Sequence, residues 1–402
     1  MRGFETRRGW LCIGGMELWR LAELAGNQPF FAYDRGMIAG RVNTLRRLLP
    51  PSIRLSYSVK ANPMPALVQR LGNIVDGLDV SSVEELRQAL SAVGDPSRVQ
   101  FSGPGKSWEE LRGAMAAGAT ISIESCSQLR RAAEIGRALR QKPQVVLRVN
   151  PDFSVGRSGM RMGGGAAQFG IDAEEVPGIL AQVDPDRVDL RGFHVFWGSQ
   201  NLDAELIVGA YRDCIRMILD LPARAAPSTI DVHIGSGLGI PYTDRQRELD
   251  IERVARGLMA ILQDLLPGER SRLQITLESG RYLVGHAGIY VCRVLERKVS
   301  RGKTFLITDG GMHHHLAASG NFGRAQLGNY PIAIGNKIDD DEREEVAVVG
   351  RLCTPLDRFA ERIALPRAEA GDFVVIFQSG AYARSASPAG FISHPQPREL
   401  LI

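Results

Sequence analysis

The fold is first indicated at residues 55–65, which read LSYSVKANPMP. Apolar side chains alternate with serines over residues 55–59, which predicts a half-buried β-strand. Lys60 ends this run, and Asn62-Pro63 predicts an immediate turn. A lysine in this place either extends into solvent or is held, partly desolvated, as a nucleophile at a barrel mouth. This stretch alone leaves both interpretations open.

The composition is that of an ordinary globular chain. Its 402 residues are 44% apolar and 23% charged, and this length predicts two domains or a large barrel with an added module. We find no apolar stretch long enough for a membrane span and no signal-peptide pattern. Five scattered cysteines without a CxxC pair predict reduced thiols and a cytoplasmic location. The net charge of +4 comes without a dense basic stripe, so we expect no nucleic-acid partner.

Strand and helix patterns alternate up to about residue 285. The helical segments carry apolar residues at helical spacing and end near Gly, Lys or Arg. Eight strands, each followed by a helix, predict an α/β fold of the (β/α)₈ TIM-barrel type. The predicted strands cover residues 53–59, 74–80, 98–103, 120–125, 144–149, 190–196, 229–235 and 273–279.

The pattern changes after residue 285. Further strand patterns follow one another with little helical pattern between them, which predicts a C-terminal antiparallel β domain. These strands are predicted near residues 287–299, 303–310, 344–350 and 372–382. We therefore divide the chain into an N-terminal segment (1–28), a barrel (29–285) and a β domain (286–402). The N-terminal segment is expected to pack on the β domain or on the outside of the barrel.

Polar and glycine residues recur where the predicted barrel strands end. Active sites of such barrels lie at the carboxyl ends of the strands, so these residues are expected to share one site. They are Lys60, Asp79–Ser82, SGPGK (102–106), Arg148–Pro151, His194, Gly198–Asn201, GSGLG (235–239) and Glu278–Arg281.

The GSGLG run at 235–239 lets backbone N–H groups approach an anion, and the start of a following helix would add its dipole. Such a run is also a common tight turn, and its spacing is not a Rossmann fingerprint. With Gly280 and Arg281 at the next strand end, it predicts a phosphate site. Glu278 either forms a salt bridge or pairs with a cationic ring nitrogen. Pyridoxal phosphate requires a lysine for its Schiff base, a site for its phosphate and a partner for its pyridine nitrogen. Lys60, the glycine run and Glu278 are candidates for these three roles.

The motifs resemble those of the pyridoxal phosphate-dependent decarboxylases with the alanine-racemase fold (fold type III), including ornithine and diaminopimelate decarboxylases. The resemblance runs from about Pro29 to Pro397 and rests on YSVKANP, SGPGK, GSGLGIPY, ESGR, DGGMHHH, LCTPLD and QSGAY. The stretches GMRMGGGAAQFGID, GSQNL and DGGMHHHLAASGNFG are similar to a subfamily associated with exosortase A and exopolysaccharide systems. They are also similar to a decarboxylase of aminoglycoside biosynthesis whose amino acid is tethered to a carrier protein.

The resemblance implies a role for each matching residue. Lys60 would be the Schiff-base lysine, Glu278 the partner of the pyridine nitrogen, and Cys353 the catalytic cysteine, delivered across a homodimer interface. On the residues alone, a lone cysteine in such a place is more often a buried side chain without chemistry, and only the resemblance favours the catalytic role. The cofactor-binding residues would be Lys60, Arg148, His194, Phe196, Ser199, Gly235, Ser236, Gly237, Glu278, Gly280, Arg281 and Tyr382. The substrate-binding residues would be Arg281, His313, Thr354, Asp357 and Tyr382.

Four positions depart from the family pattern. Ser236 replaces the middle glycine of a triple-glycine run. Phe196 replaces the histidine that stacks on the cofactor, with His194 two residues earlier, and a phenyl ring can also stack. Arg351 replaces a proline, and Thr354 replaces the acidic residue that pairs with the substrate's distal ammonium group. For His313–His315 we expect no metal site, because consecutive strand residues point to alternate faces, and one of them is expected to face the substrate.

The sequence therefore predicts decarboxylation of an α-amino acid by a homodimer with shared active sites and neither nucleic-acid nor membrane partners. Thr354 and the additional Arg161 favour a substrate whose far end is neutral, anionic or bound to an acidic carrier protein, in a biosynthetic pathway. Asp357 is the alternative counter-charge for an ammonium group. The alternative functions are an amino-acid racemase and a non-catalytic cofactor-binding homologue.

Overall fold

The computed structural model describes residues 3–153, the backbone of 160–161, and residues 163–221, 229–243, 245–321 and 329–402. The chain forms two compact units. The barrel unit comprises Val42–Ile240 and Glu248–Gly280. The β unit comprises Met1–Arg41, Pro241–Arg247 and Arg281–Ile402.

The secondary structure alternates in the barrel unit and is mostly strand in the β unit. The strands are β1 (Glu5–Arg7), β2 (Trp10–Ile13), β3 (Met16–Glu17), β4 (Phe30–Tyr33), β5 (Arg54–Ser58), β6 (Gly77–Val80), β7 (Val99–Phe101), β8 (Thr120–Ile123), β9 (Gln144–Asn150), β10 (Met160–Arg161), β11 (Ile171–Asp172), β12 (Asp189–Val195), β13 (Gly198–Ser199), β14 (Ile230–Gly235), β15 (Leu273–Ser279), β16 (Gly288–Ser300), β17 (Lys303–Thr308), β18 (Ile332–Ile334), β19 (Arg343–Val349), β20 (Arg358–Pro366), β21 (Phe373–Ile376) and β22 (Arg398–Leu401). The helices are α1 (Leu18–Leu24), α2 (Arg35–Leu48), α3 (Pro65–Gly72), α4 (Val83–Val93), α5 (Trp108–Ala117), α6 (Cys126–Leu139), α7 (Val176–Leu180), α8 (Ala204–Leu219), α9 (Ile251–Asp264), α10 (Pro267–Arg272) and α11 (Arg281–Val284).

Eight parallel strands close into a barrel in the order β5, β6, β7, β8, β9, β12, β14, β15 and back to β5. The predicted (β/α)₈ barrel is confirmed, and each observed strand lies inside or within one residue of its predicted span. The strands are apolar and buried because helices cover the outer face of a parallel barrel. The carboxyl ends of all eight strands, with the polar residues at those ends, therefore lie on one face of the barrel.

Four helices of the barrel unit begin with a side-chain cap. Ser82, Ser107 and Ser125 each accept a hydrogen bond from a backbone N–H in the first turn of α4, α5 and α6, respectively. Asp203 does the same at the start of α8. These caps satisfy free backbone N–H groups at the starts of the four helices, and Ser82 and Ser125 lie only two residues after β6 and β8.

The β unit is built on the long strand β16, which pairs with β4, β17 and β21. Its main sheet has the order β18, β21, β16, β17, β19, β20. The predicted C-terminal β domain is confirmed, and its sheet is mixed: β17 pairs with β19 and β22 with β4 in parallel, while its other pairs are antiparallel. The parallel pairs arise because a long connection, not a hairpin, joins their strands.

The N-terminal segment contributes to the core of the β unit. Leu11, Ile13 and Leu21 are buried in one apolar cluster with Val291 and Val375. Burial of such side chains is the main source of stability for this segment. In the part of the chain that the structure describes, no helix combines the length and apolarity needed to cross a bilayer.

Candidate active site

Lys60 lies in a short 3₁₀ turn, Val59–Ala61, directly after β5. The turn is fixed by the Tyr57 hydroxyl, which donates to the Asn62 carbonyl at 2.9 Å. The Asn62 side chain accepts from the Met64 backbone N–H at 3.1 Å. A Cβ on Gly280 would lie 2.8 Å from the Ala61 Cβ, so the neighbouring strand end must be glycine to approach this turn.

The Lys60 ammonium group is held against a buried carboxylate. Its Nζ lies 3.1 Å from Asp79 Oδ2, and the Asp79 side chain is completely buried while that of Lys60 is 34% exposed. The Ser102 hydroxyl donates to the other Asp79 oxygen at 2.5 Å. The Phe196 ring centroid lies 5.6 Å from Nζ. Lys60 is therefore anchored at the barrel mouth, which favours the nucleophile interpretation over a solvent-directed lysine.

Glu278 occupies the end of β15 and is buried. Its Oε1 accepts a hydrogen bond from Gln100 Nε2 at 2.7 Å and lies 3.6 Å from His233 Nδ1. Its Oε2 lies 3.3 Å from His194 Nε2 without hydrogen-bond geometry, and the other ring nitrogen of His194 contacts Ser122 Oγ at 2.8 Å. Four strands thus surround one carboxylate.

The carboxylate of Glu278 remains ionised in the barrel. Burial would raise its pKa, but His194 and then His233 lower the pKa well below the usual range. Oε2 has no hydrogen-bond partner among the residues that the structure describes, although a buried carboxylate oxygen normally has one. A protonated pyridine nitrogen would complete this site, so the residues present fit pyridoxal phosphate.

A third buried carboxylate, Glu124, joins three strand-end loops. Its Oε1 accepts from Arg148 Nη1 at 3.0 Å and from the Gly103 backbone N–H at 2.6 Å. Its Oε2 accepts from the Gly170 backbone N–H at 3.2 Å, and Lys106 Nζ lies 3.9 Å from Oε1. Burial lowers the pKa of Lys106 to about 8. Sequence analysis identified Arg148 but not this cluster.

Phe196 and the GSGLG run are closely packed. A Cβ on Gly235 would lie 2.5 Å from the Phe196 ring, and one on Gly237 would lie 2.3 Å from the Trp197 ring. Gly237 also has a left-handed φ of 70°. Both glycines are thus required by close approach. The next described helix, α9, begins only at Ile251, so the expected helix dipole at GSGLG is wrong.

The serine at position 236, which replaces a glycine of the family pattern, has a backbone held by two hydrogen bonds. Its N–H donates to the Glu278 carbonyl at 2.8 Å, and its carbonyl accepts from the Tyr211 hydroxyl at 2.7 Å. Ser199 lies in β13, which pairs with β10. The side chain of Arg161, which the sequence analysis singled out, lies outside the described residues.

In the β unit, Arg281 is half-buried between two tyrosines. Its Nη1 donates to the Tyr242 hydroxyl at 2.6 Å, and its guanidinium carbon lies 4.5 Å from the Tyr382 ring centroid. Its Nε has no hydrogen-bond partner in the described part of the chain. Tyr382 has a left-handed φ of 52°, which turns its ring at the end of the QSGAY motif. Arg281 retains hydrogen-bonding capacity for an anionic ligand.

The cysteine motif forms an exposed turn in the β unit. Cys353 is exposed and is a free thiol. The buried Asp357 carboxylate accepts from the Met312 and Leu352 backbone N–H groups at 2.6 and 2.8 Å, and burial raises its pKa. Asp357 therefore fixes this turn, and a role in binding a substrate ammonium group would require breaking two hydrogen bonds.

The three consecutive histidines are buried in different environments. His314 contacts the Tyr290 hydroxyl and the Pro395 carbonyl, each at 2.9 Å, and His315 contacts Ser379 Oγ at 3.0 Å. Within the described ranges, His313 has no hydrogen-bond partner at either ring nitrogen, and burial lowers its pKa to about 3. His313 is thus neutral, and its substrate contact stays a prediction.

Sequence reasoning missed several site residues that the barrel brings together. Asp79 was predicted to lie at a strand end, but its contact with Lys60 was not predicted. Gln100, Glu124 and His233 were not assigned to the site, and Lys106 was placed there only as part of SGPGK. A usable signal was that Gln100, Ser122 and His233 are polar residues with apolar neighbours on both sides within barrel strands.

A closed parallel barrel with a lysine, an unsatisfied buried carboxylate and a glycine loop at one mouth defines a pyridoxal phosphate enzyme. Residues 35–285 match the family model described as "Pyridoxal-dependent decarboxylase, pyridoxal binding domain". This match covers more than half of the chain, which therefore belongs to this family. The protein is a pyridoxal phosphate-dependent decarboxylase, as the motif resemblance indicated.

Its relatives span nearly its whole length. The chain is 34% identical to an L-glutamyl-[BtrI acyl-carrier protein] decarboxylase of Niallia circulans, over 93% of this chain and 88% of the relative. It is 28% identical to a 2-[(L-alanin-3-ylcarbamoyl)methyl]-2-hydroxybutanedioate decarboxylase of Staphylococcus aureus, over 91% and 92%. The crystal structure of Helicobacter pylori diaminopimelate decarboxylase with L-lysine is similar, with a TM-score of 0.83, 26% identity, and coverage of 96% and 94%.

The Glu124 cluster generates a prediction about stability. Replacing Glu124 with Gln should lower the free energy of unfolding by about 3–5 kcal/mol near neutral pH, because two buried cations lose their counter-ion. Burial would raise the pKa of Glu124, but Arg148 and Lys106 lower it. The stabilisation is therefore present above the ordinary carboxyl pKa of about 4.3 and is lost as the pH falls through the lower folded value.

Urea unfolding of the wild type and Glu124→Gln, followed from neutral pH to below about pH 4, measures this difference. The gap between the two proteins should narrow in acid. Glu109→Gln, at an exposed position of α5, is the matched control and should stay within about 0.5 kcal/mol of the wild type. An equal loss in both variants, or a gap independent of pH, would refute the role of Glu124.

Proposed function

We propose that this decarboxylase removes the α-carboxylate of an amino acid whose far end is acylated or linked to a carrier protein, in a biosynthetic pathway. One observation carries the proposal: Thr354 follows Cys353, and the nearby carboxylate of Asp357 is committed to two backbone N–H groups. A buried ammonium group without a counter-charge costs several kcal/mol. The site therefore suits a distal end that is neutral or anionic.

The names of two relatives support this substrate class. The Niallia circulans relative is named for a glutamyl group on an acyl-carrier protein. The Staphylococcus aureus relative is named for an alanine unit joined through a carbamoyl group to a hydroxybutanedioate. Neither name describes a free diamino acid.

In the proposed mechanism, Lys60 carries the cofactor and returns to it after each turnover. Bound pyridoxal phosphate supplies an electron sink for the pair released with carbon dioxide. Glu278 would keep a proton on the ring nitrogen through its unused oxygen, and Phe196 would pack against the ring. Asp79 would orient the Lys60 amine. The contacts that surround these side chains support each role.

The remaining residues bind the ends of the ligand. Gly235, Ser236, Gly237 and Gly280 would hold the phosphate with Ser199, Arg281 and Tyr382. Arg148, fixed by Glu124, would lie near the ring, and His194 would help to keep Glu278 ionised. Cys353 would deliver a proton to the α-carbon after carbon dioxide has left.

A racemase and a non-catalytic homologue are the alternatives. A racemase needs two bases on opposite faces of the α-carbon and would exchange the α-proton without releasing carbon dioxide. A non-catalytic protein would do neither, and the joint presence of Lys60, Glu278 and Cys353 disfavours it. Measuring carbon dioxide release and α-proton exchange on the same samples separates the three functions.

We expect carrier-linked amino acids to be better substrates than free ones. Carbon dioxide release should be measured with free diaminopimelate, lysine, ornithine, arginine and glutamate, and with glutamyl- and aminoacyl-carrier conjugates. We predict that kcat/KM for a conjugate exceeds that for free diamino acids about a hundredfold or more. Efficient turnover of free diaminopimelate or ornithine would defeat the proposal.

Thr354 provides a matched pair of variants for the same assay. Thr354→Asp supplies a carboxylate for a distal ammonium group and should raise kcat/KM for free ornithine or diaminopimelate. Thr354→Asn has nearly the same shape without the charge and should not. Equal effects of the two variants would show that charge at this position does not select the substrate.

We also propose that two chains form a homodimer with shared active sites, in a reducing cytoplasm. The exposed Cys353 thiol suits delivery to a second chain, and all five cysteines are free thiols. Mixing inactive Lys60→Ala and Cys353→Ala chains should then restore part of the activity. A random mixture gives one intact site per mixed dimer. No recovery, despite subunit exchange verified by mass spectrometry, would rule out shared sites.

A further inference from the structure

The β unit contains a groove that the proposed chemistry does not use. It lies between β18 and β20, the two end strands of the main sheet, and has a volume of about 710 Å³. This volume falls within the range of about 300–1,000 Å³ that is typical of small-molecule sites. Its lining includes Arg245, Asn329, Tyr330, Lys337, Arg343 and Ala364.

The groove presents two open strand edges. Among the described strands, β18 pairs only with β21, and β20 only with β19. Backbone groups on such edges require partners. Asn329 Nδ2 donates to the Arg362 carbonyl at 3.2 Å, and Arg343 Nη1 donates to the Ala364 carbonyl at 3.4 Å. These bonds are long and therefore weak, so an extended ligand containing amide groups can replace them.

The charge of the groove resides in two arginines. Arg245 and Arg343 are exposed, and neither forms an ion pair with a described residue. Lys337 is neutralised by Asp372, whose Oδ2 lies 2.7 Å from its Nζ. Two exposed guanidinium groups without a described carboxylate partner suit an anionic group such as a phosphate.

The inner wall of the groove leads towards Arg281. Tyr330 lines the groove and packs edge-to-face on Tyr242, with ring centroids 4.9 Å apart. The Tyr242 hydroxyl accepts the hydrogen bond from Arg281 described above. Arg281 immediately follows Gly280 in the chain. Two rings thus separate the groove from a residue assigned to the ligand site.

We propose that this groove binds the phosphate-bearing, amide-containing arm that tethers the substrate to its carrier protein. Arg245 and Arg343 bind the phosphodiester at the outer end of the arm. The open edges of β18 and β20 bind its amide groups, and the inner end of the arm passes Tyr330. This inference rests on the proposed function, because it requires a carrier-linked substrate.

The test uses the holoenzyme and two variants. Arg245→Ala/Arg343→Ala removes the phosphate contacts, and Ala364→Phe fills the groove at an exposed position that tolerates a larger side chain. Arg358→Ala, which removes an exposed arginine of β20 paired with Glu361, is the matched control. Calorimetry measures binding of 4′-phosphopantetheine and of pantetheine, and steady-state assays with a glutamyl-carrier conjugate give KM and kcat.

The double arginine variant should bind 4′-phosphopantetheine about tenfold or more weakly than the wild type does. Pantetheine, which lacks the phosphate, should bind more weakly than 4′-phosphopantetheine to the wild type and equally to both proteins. Its KM for the conjugate should rise by a similar factor with kcat unchanged. Ala364→Phe should weaken binding of both probes. Arg358→Ala should match the wild type, and thermal unfolding should show that every variant is folded.

Three results would overturn the inference. If the conjugate is turned over with wild-type KM by both groove variants, the groove is wrong while the proposed function stands. If the wild type turns over free diamino acids and not conjugates, the proposed function fails first and the groove assignment falls with it. If the variants instead change the oligomeric state in sedimentation experiments, the groove is an interface between copies of this chain.

Discussion

The site depends on the contacts that keep the carboxylate of Glu278 ionised while it is buried at the mouth of the barrel. Removing a carboxylate from water is costly unless charges and hydrogen bonds compensate for it. Gln100, His194 and His233 supply this compensation from three different strands. Only a closed parallel barrel brings those strand ends together with β15. The fold is therefore the means by which one carboxylate stays charged with an oxygen left unused.

The same principle recurs at two further buried carboxylates. Asp79 is paired with Lys60, and Glu124 with Arg148 and Lys106. In each case a cation from one strand end meets an anion from another, so the loops that carry these residues are fixed by a neighbour. Burying both charges is costly, and removing one partner costs more because it leaves the other charge buried without a counter-ion. The apolar barrel strands and capped helices offset that cost.

Much of this arrangement could be predicted from the sequence. The alternation of strand and helix patterns gives the barrel, and the position of Lys60 and Glu278 at strand ends gives the face on which they lie. The pairing partners could not be predicted, because strand periodicity gives a residue's face but not which neighbouring side chain reaches it. Gln100 and His233 illustrate this limit. The helix expected after GSGLG was wrong because residues 240–243 and 245–250 form neither helix nor strand before α9.

The β unit was less predictable for related reasons. Strands β4, β18, β20 and β22 were not identified, because short or proline-containing segments carry little periodicity of their own and are strands only through their pairing partners. The groove between β18 and β20 depends on strands of this kind. Consequently the sequence predicted the chemistry of the cofactor site more fully than the groove that we propose for the substrate's arm.

The central claim is that Glu278 acts on the ring nitrogen of the cofactor. It is tested most directly by reconstituting the wild type and Glu278→Gln with pyridoxal phosphate and with its analogue in which carbon replaces the ring nitrogen. We predict that either change alone lowers kcat for carbon dioxide release about a hundredfold. Both changes together should lower it little further, because they remove the same interaction. Independent losses that multiply in the doubly altered enzyme would contradict this account.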